Sequence, residues 1–349
     1  MNTGLPTRPL GTTGFDITSV GFGSWAVSGS GWSYSWGETD DTESVAAIRR
    51  ALDSGVNWID TAAYYGLGHS EEIVAKAVAG LSDAERPYLF TKVGLVADPQ
   101  NPQAAPVRTM KPASVRRELE ASLRRLNTDH IDLYQVHWPD TGLPFSYTDG
   151  SAATSADATP LEEYWQLMAD LKTEGKIRAI GLSNHSPAQL DTAEKIAHVD
   201  VVQPPFSAVN RSAAAEIAWA HAHDTGVIVY SPMQSGLLTG AFTAERAAAL
   251  TADDWRSSHP DFTTGLAANL RLAEALRPVA ARHGATVAEV AIAWTLAWPG
   301  ITGAIVGARN AAQVDGWTGA GSLELTPADL TEISEAITAS GAGTGPARP

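Results

Sequence analysis

Cysteine is absent from the 349-residue chain. Its absence excludes disulfides, thiolate nucleophiles, iron–sulfur ligation and cysteine-ligated zinc. Basic residues are scarce as well, because 24 Lys and Arg stand against 39 Asp and Glu, which gives a formal net charge of −15. Binding to nucleic acids or to anionic membranes depends mainly on Lys and Arg that face phosphates. We therefore expect neither partner.

Long hydrophobic runs are also missing. The longest nearly apolar run, residues 290–298, is far shorter than the roughly 20 residues that span a membrane. The first eleven residues contain no apolar stretch of the length typical of a signal peptide. With 44% apolar and 18% charged residues the chain is globular. We predict a soluble, cytoplasmic protein that acts on a small molecule, and its oligomeric state stays open.

Eight short runs rich in Val, Ile and Leu alternate with amphipathic segments of helical spacing. Apolar strands that alternate with helices are typical of parallel β/α units covered on both faces. Because no change in composition marks a linker, we predict an α/β fold with one domain over residues 1–340, a (β/α)8 TIM barrel. The eight strands are predicted at residues 20–25, 56–60, 88–93, 131–137, 177–183, 199–203, 227–231 and 301–307.

Several segments lie outside the repeating units. Residues 10–18 predict a small β-hairpin that plugs one end of the barrel. Three long connections follow strands and therefore lie on the carboxyl face of the barrel, where long loops are usually functional. They cover residues 95–111, 139–159 and 232–268. The last residues, 341–349, are rich in Gly, Pro and Ala and predict a flexible tail.

Reactive or hydrogen-bonding side chains stand at or just past the carboxyl ends of the predicted strands. In a parallel barrel these ends converge on one mouth, where barrel enzymes have their active sites. Lys92 follows the apolar run Y-L-F-T and would be desolvated unless it were paired, so we predict a pair with Asp60. The strand-end residues are Asp60, Lys92, His137, Asn184, Gln203, Tyr230 and Ser231.

These residue types together predict a proton-transfer site. A free tyrosine has a pKa of about 10, and a nearby ammonium lowers that pKa. Lys92 would supply the cation, Asp60 would hold it, and His137 could donate a hydrogen bond to a substrate oxygen. From the residues alone, either Tyr64 or Tyr65 could be the proton donor, and Asp60 or His137 could instead be structural. No side chain donates a hydride, so the site implies a cofactor.

Seven collinear segments resemble the aldo-keto reductases over essentially the whole chain. The resemblance implies a reductase of aldehydes or ketones with a catalytic tetrad of Asp60, Tyr65, Lys92 and His137, in which Tyr65 is the proton donor. The segments are D-T-A-A-Y-Y-G-L-G-H-S-E-E at 60–72, T-K-V-G at 91–94, D-L-Y-Q-V-H-W-P at 132–139, G-K-I-R-A-I-G-L-S-N at 175–184, V-V-Q-P-P-F at 201–206, Y-S-P-M-Q-S-G-L-L-T-G at 230–240 and I-V-G-A-R-N-A-A-Q at 305–313.

The resemblance also implies NADPH, bound in an extended form across the mouth, with NADH as the possible alternative. Ser183, Asn184 and Gln203 match positions that hydrogen-bond the nicotinamide carboxamide, and Tyr230 matches the ring that stacks on the nicotinamide. At the pyrophosphate the matching residues are Ser231, Pro232, Met233, Ser235, Gly236, Leu237 and Leu238. At the adenosine-phosphate end they are Gly307, Arg309 and Gln313. We also place three residues of the predicted mouth in the cofactor site: Ser24, Trp25 and Asp60.

Arg309 is the candidate partner of a 2′-phosphate, because a planar guanidinium pairs well with phosphate oxygens; a solvated surface arginine is the alternative. The resemblance ends at the adenine contacts. Many members carry a Glu-Asn pair there, whereas this chain has Gly316 and Trp317.

The substrate pocket is predicted at Trp25, Tyr65, His137 and Trp138. The chain has 11 Trp against 7 Phe, and a flat indole with one donor suits an aromatic or sugar-like carbonyl compound. We predict no metal site, because His221 and His223 face different sides of a helix. Two other functions remain open. One is a dehydrogenase that oxidises a sugar, a polyol or a pyridoxal-like alcohol, and the other is a nucleotide-sensing regulatory barrel that resembles channel β subunits.

Overall fold

Eight parallel strands close into a barrel in the computed structural model, which describes residues 4–82, 84–146, 153–251 and 254–348. The predicted (β/α)8 barrel and its hairpin are confirmed. In chain order the strands are β1 (Thr7–Pro9), β2 (Asp16–Thr18), β3 (Val20–Gly23), β4 (Trp58–Asp60), β5 (Tyr88–Val93), β6 (Leu95–Val96), β7 (Val107–Arg108), β8 (Ile131–Val136), β9 (Ile177–Ser183), β10 (Val201–Gln203), β11 (Gly226–Val229) and β12 (Gly303–Gly307).

The barrel consists of β3, β4, β5 and β8 to β12, and β12 pairs with β3 to close it. Antiparallel pairing joins β1 to β2 and β6 to β7. Each predicted strand overlaps a barrel strand, but several are shorter than predicted. The first ends at Gly23 because Ser24–Val27 turns into a 3₁₀ helix.

Helices cover the outside of the barrel, and their ends are set by local side chains. The Asp40 carboxylate accepts hydrogen bonds from two backbone N–H groups of the first turn of α1, and Thr286 with Glu289 forms a capping box at α10. No helix of the described residues is long and apolar enough to cross a membrane. The helices are α1 (Asp41–Asp53), α2 (His69–Val78), α3 (Pro112–Leu126), α4 (Leu161–Thr173), α5 (Pro187–Glu194), α6 (Ala214–Ala222), α7 (Ala244–Ala248), α8 (Leu266–Ala275), α9 (Arg277–His283), α10 (Val287–Leu296), α11 (Ala311–Asp315) and α12 (Pro327–Ser340).

Apolar side chains fill the half of the barrel interior nearest the amino-terminal ends of the strands. Leu10, Phe15 and Ile17 of the hairpin belong to the same cluster, so the hairpin closes the amino-terminal end. The Trp58 indole fits beside Gly21, where an added Cβ would lie 2.1 Å from the ring. Seven strands each contribute one residue to the cluster: Trp58, Phe90, Leu133, Ala179, Val201, Ile228 and Ile305.

A second interior layer lies nearer the mouth, two residues further along each strand. Side chains alternate along a strand, so the residue two positions after each apolar interior residue faces inward as well. The inward-facing side chains of this second layer are polar or small, whereas those of the first layer are apolar. The residues of the second layer are Asp60, Lys92, Gln135, Gly181, Gln203, Tyr230 and Gly307.

The three long connections follow β5, β8 and β11 and lie on the carboxyl side of the barrel. The first holds the β6–β7 pair, and the third contains α7 with several 3₁₀ turns. Part of the second, residues 147–152, lies outside the described residues, as do residues 1–3 and 349 of the predicted domain and tail.

The carboxyl-terminal segment has partners that its composition did not predict. Arg211 is 3% exposed, and its guanidinium donates to the carbonyl oxygens of Ala342 at 3.3 Å, Gly345 at 3.2 Å and Pro346 at 3.0 Å. The backbone N–H of Arg211 donates to the carbonyl of Thr344 at 2.9 Å. The structure therefore gives the described part of the predicted flexible tail a docking site, because one buried cation gathers several carbonyl oxygens.

We expect Arg211→Met to reduce the free energy of unfolding by about 3 kcal/mol, because several carbonyl groups lose their donor together. Urea unfolding measures this loss, and hydrogen exchange at the Thr344 amide, which donates to the Val209 carbonyl, reports release of the segment. Arg348→Met is the control. This exposed arginine bonds only to Ser334 Oγ among the described residues, so its loss should change stability by no more than about 0.5 kcal/mol. Equal effects of the two substitutions would contradict the docking role of Arg211.

Candidate active site

A buried ion pair lies at the centre of the polar layer. Lys92 is 1% exposed, and its ammonium donates to Asp60 Oδ1 and to the carbonyl oxygen of Thr61, the latter at 2.9 Å. Burial lowers the pKa of Lys92, and the negative charge of Asp60 opposes that effect. The predicted Asp–Lys pair is therefore present in the structure.

The second oxygen of Asp60 is held by two amides. Gln203 Nε2 donates to Asp60 Oδ2 at 2.9 Å, and Gln135 Nε2 approaches the same oxygen at 3.4 Å. Gln203 Nε2 also donates to Gln135 Oε1 at 3.1 Å. All three side chains are buried. Asp60 is thus fixed by the ammonium on one oxygen and by amides on the other.

The two adjacent tyrosines have different surroundings. The Lys92 ammonium lies 5.2 Å from the centroid of the Tyr65 ring, and the His137 ring centroid lies 5.6 Å away at a steep angle. The Tyr64 hydroxyl instead forms a 2.8 Å hydrogen bond with Ser33 Oγ, and burial raises the pKa of Tyr64 to about 12. The structure therefore brings Tyr65 close to His137 and to Lys92, which is paired with Asp60, and it leaves Tyr64 in aromatic packing with Trp32.

A tight turn after Tyr65 produces this separation. Gly66 and Gly68 have φ of 60° and 105°, and Leu67 between them also has a positive φ of 56°. A Cβ at Gly66 would lie 2.1 Å from the carbonyl oxygen of Ser28. The glycines of Y-G-L-G are therefore required where the chain leaves β4 and passes close to the first loop.

His137 stays neutral at ordinary pH. Burial and the positive charge of Lys92 together hold the pKa of His137 well below its usual range. Its backbone N–H donates to the Val93 carbonyl at 2.9 Å, and its carbonyl oxygen accepts from Asn184 Nδ2 at 3.0 Å. A neutral imidazole in this position can donate a hydrogen bond to an oxygen without bringing in a second cation.

Asn184 links three residues of the mouth. It has a positive φ of 62°, its Nδ2 also donates to Ser183 Oγ at 2.9 Å, and its Oδ1 accepts from the Tyr230 hydroxyl at 2.8 Å. Burial raises the pKa of Tyr230 above its usual value, so this hydroxyl remains a donor. In this structure the Asn184 amide therefore positions the Tyr230 ring.

The segment predicted at the pyrophosphate has an unusual backbone. Ser231, Gln234 and Ser235 have positive φ values of 59°, 44° and 51°, a conformation that is uncommon outside glycine and is often found at functional sites. A Cβ at Gly236 would meet nothing within 4 Å. Leu237 and Leu238 are fully buried, so neither offers a surface to a ligand in this structure. Pro232 is buried, and Met233 is partly buried.

The residues predicted at the adenosine-phosphate end lie around the end of β12. The side chain of Arg309 is exposed and donates to the Glu38 carbonyl at 2.5 Å, while its backbone N–H donates to Gln313 Oε1 at 2.8 Å. Gly307 and Gln313 are exposed as well. Trp317 is 2% exposed and packs in the outer core, which takes its indole away from this surface.

Aromatic side chains surround the mouth. Trp25 stacks on Tyr65 at a centroid distance of 6.2 Å and on Trp255 at 6.0 Å, and Trp138 packs against Phe145 at 4.9 Å. The predicted pocket residues therefore lie together. Ser24 differs, because its fully buried hydroxyl donates to the Asp60 carbonyl at 3.1 Å and accepts from Ser70.

Sequence reasoning missed Gln135 and Trp255. Gln135 has a signal, since it stands two positions before His137 in β8 and therefore shares the inward face. Trp255 has none, because it lies in the third connection beyond residue 240, where the sequence carries no readable motif.

This set of groups can hold a nicotinamide nucleotide. Gln203 retains its Oε1 as an acceptor, Tyr230 offers a ring at the mouth, residues 233–236 after β11 are partly exposed, and Arg309 offers an exposed cation. Within the described ranges no three His, Asp or Glu side chains lie close enough to hold a metal ion.

Comparison with known proteins agrees with this geometry. The model of the Aldo/keto reductase family matches residues 19–338. The chain is 36% identical to the aldo-keto reductase YhdN of Bacillus subtilis (strain 168), with 88% of each chain covered. It is 31% identical to the NADH-specific methylglyoxal reductase of Escherichia coli (strain K12), over 94% of this chain and 98% of the relative.

Among solved structures, a glycerol dehydrogenase, AKR11B4 from Gluconobacter oxydans, superposes with a TM-score of 0.82 at 32% identity and covers 97% of each chain. The match of the family model over nearly the whole chain, together with these relatives, identifies the chain as a member of the aldo/keto reductase family, oxidoreductases that act on carbonyl and alcohol groups with nicotinamide cofactors.

Proposed function

We propose that the protein reduces an aldehyde or ketone to an alcohol with NADPH, and that Tyr65 donates the proton to the carbonyl oxygen. One observation carries the proposal: the Tyr65 ring lies 5.2 Å from the buried ammonium of Lys92 and 5.6 Å from the imidazole of His137. A small carbonyl compound is the partner that this site fits. The absence of cysteine is compatible with the reducing cytoplasm, where we expect the activity.

The chain supplies the proton and the electrostatic environment of the reaction. As the Tyr65 hydroxyl releases its proton, negative charge develops on the phenolic oxygen, and the Lys92 ammonium stabilises that charge. His137 donates a hydrogen bond that orients the substrate oxygen. Asp60 holds the ammonium in place through Oδ1. A bound nicotinamide would supply the hydride, and the predicted cofactor residues would hold it.

The reverse reaction is the second candidate, because the same groups accept a proton from an alcohol when the direction is reversed. The similarity to a structure described as a glycerol dehydrogenase favours this possibility. A nucleotide-sensing regulatory barrel agrees less well with this site, because a protein without turnover would not need Tyr65 beside Lys92 and His137.

We expect Tyr65→Phe to reduce kcat by about 10³-fold, because it removes the proton donor, while the affinity for NADPH changes less than about twofold. The matched control is Tyr64→Phe, whose hydroxyl bonds to Ser33 and should leave kcat within a few-fold of wild type. The measurement is loss of NADPH absorbance with an aromatic aldehyde. A larger loss in Tyr64→Phe than in Tyr65→Phe would overturn the assignment.

Lys92→Met should reduce kcat by about 10²-fold or more, because the developing phenolate loses its cation. The substitution also leaves the Asp60 carboxylate buried without its partner, which costs roughly 3–5 kcal/mol of stability. Asp60→Asn with Lys92→Met should recover much of that stability but not the turnover. Stopped-flow single-turnover rates and urea unfolding measure the two effects separately. A near-normal single-turnover rate in the double variant would contradict the role of the Lys92 cation.

We propose a preference for NADPH because the exposed Arg309 side chain at the end of β12 could pair with the additional phosphate of NADPH. Arg309→Ala should lower the ratio of kcat/KM for NADPH to that for NADH by about tenfold, because a phosphate loses a charged partner. Arg50→Ala is the control, since Arg50 pairs with Asp315 at 2.6 Å on the same side of the barrel. A wild-type preference for NADH, as in the E. coli relative, would reject this part of the proposal.

A further inference from the structure

We propose that Gln135 is a positioning residue that fixes the orientation of the Gln203 side-chain amide, so that Gln203 presents its oxygen to an N–H donor of the nicotinamide carboxamide. The inference rests on the proposed function, because it concerns the same cofactor site. It adds a residue to which neither the resemblance nor the strand-end pattern assigned a role.

The fold reserves a place for the Gln135 side chain inside the barrel. Gln135 is fully buried and lies in register between Lys92 on β5 and Gly181 on β9. A Cβ at Gly181 would come within 2.9 Å of Gln135 Cγ. The absence of a side chain at Gly181 therefore makes room for a glutamine that points at the polar layer.

The hydrogen bonds around Gln203 allow one orientation of its amide. An amide nitrogen carries two hydrogens. One is directed at Asp60 Oδ2 at 2.9 Å, and the other at Gln135 Oε1 at 3.1 Å. An ionised carboxylate only accepts, so Asp60 favours this orientation, and Gln135 Oε1 is a second acceptor that favours it as well. Its Oε1 remains as the acceptor, and no donor of the described residues bonds to it.

Gln135 opposes rotation of the Gln203 side-chain amide by 180°. A reversed Gln203 would place its Oε1 against Asp60 Oδ2 and Gln135 Oε1, two acceptors at hydrogen-bond distance. If Gln135 reversed as well, its own oxygen would face Asp60 in place of its nitrogen, which now lies 3.4 Å from that carboxylate. Each reversal leaves buried acceptors facing one another, and that arrangement is strongly unfavourable.

The experiment compares two oxidised cofactors in direct binding measurements. NADP⁺ carries a carboxamide with N–H donors, whereas its 3-acetylpyridine analogue carries a methyl ketone, which only accepts. Tryptophan fluorescence gives Kd for each, without turnover. In the wild type we expect the analogue to bind about tenfold more weakly, because Gln203 Oε1 then meets a group with no donor.

Gln135→Met keeps the length of the side chain but removes its hydrogen bonds. We expect the ratio of the two Kd values to fall to about twofold, because Gln203 loses one of the two acceptors that hold its nitrogen inward and can more easily turn that nitrogen toward the ketone. The Kd for NADP⁺ should rise several-fold, with kcat at saturation reduced less. The control is Gln166→Met on α4, whose side chain bonds to Asp170 at the surface and should leave the ratio unchanged.

Gln135→Glu provides a second test that preserves the shape. A protonated Glu can donate to Asp60 and accept from Gln203 as the amide does, whereas an ionised Glu adds charge beside Asp60. The charged or titratable groups nearby are Lys92 on the adjoining β5, Asp60 on β4 beyond it and His137 past the end of β8, while β9 and β10 contribute Gly181 and Gln203. The carboxyl group accepts from Gln203 Nε2 in either protonation state, so the Kd ratio should stay near that of wild type across the pH range, and a fall to the ratio of Gln135→Met would overturn the role of the acceptor.

The possible results separate this inference from the function on which it rests. A wild type that binds NADP⁺ and turns over, with equal Kd ratios in wild type and Gln135→Met, overturns the role of Gln135 alone. A proportional loss of affinity for both cofactors, at an unchanged ratio, assigns Gln135 a purely structural role and also overturns it. No binding of either nucleotide to the wild type overturns the proposed function. If Gln135→Met does not fold, Gln135→Leu, which also lacks the acceptor, takes its place, and equal Kd ratios in Gln135→Leu and Gln135→Glu overturn the role of Gln135.

Discussion

The buried ammonium of Lys92 constrains the site more than any other group. Removing a charge from water costs several kcal/mol unless the protein provides a partner and further hydrogen bonds. Here Asp60 and the Thr61 carbonyl supply them. The same pair then determines its neighbours, because the second carboxylate oxygen needs donors of its own, and Gln203 and Gln135 provide them.

The apolar cluster beneath this pair makes the arrangement possible. Trp58 and the hairpin residues exclude water from the amino-terminal end of the barrel, so the polar layer is open only toward the mouth. Two positions along each strand separate the two layers. A protein that needs both a dry interior and a reactive mouth obtains them from the same strands, because the alternation of side chains repeats the inward face at every second residue.

This alternation also explains how much of the molecule the sequence predicts. Eight apolar runs predict the barrel, and polar residues at their ends predict that Asp60, Lys92 and His137 lie together. Gln135 could have been found by stepping back two residues from His137. The choice between Tyr64 and Tyr65 could not, because it depends on the turn at Gly66, which is shaped by contact with the distant first loop. The docking of the tail on Arg211 and the packing of Trp255 on Trp25 are likewise contacts between segments far apart in the sequence, and composition and periodicity carry no information about such contacts.

The polarity of the mouth follows from the acceptors buried beneath it. An ionised Asp60 only accepts hydrogen bonds, and Gln135 Oε1 is a second acceptor beside it, so the amide of Gln203 turns its nitrogen inward and its oxygen outward. Asn184 shows a similar constraint at the neighbouring strand, where its nitrogen is bound by the His137 carbonyl and its oxygen by the Tyr230 hydroxyl. The donors and acceptors available to a ligand are therefore those left over after the interior is satisfied. The buried Asp60–Lys92 pair therefore also determines which hydrogen-bonding groups a cofactor must present to this site.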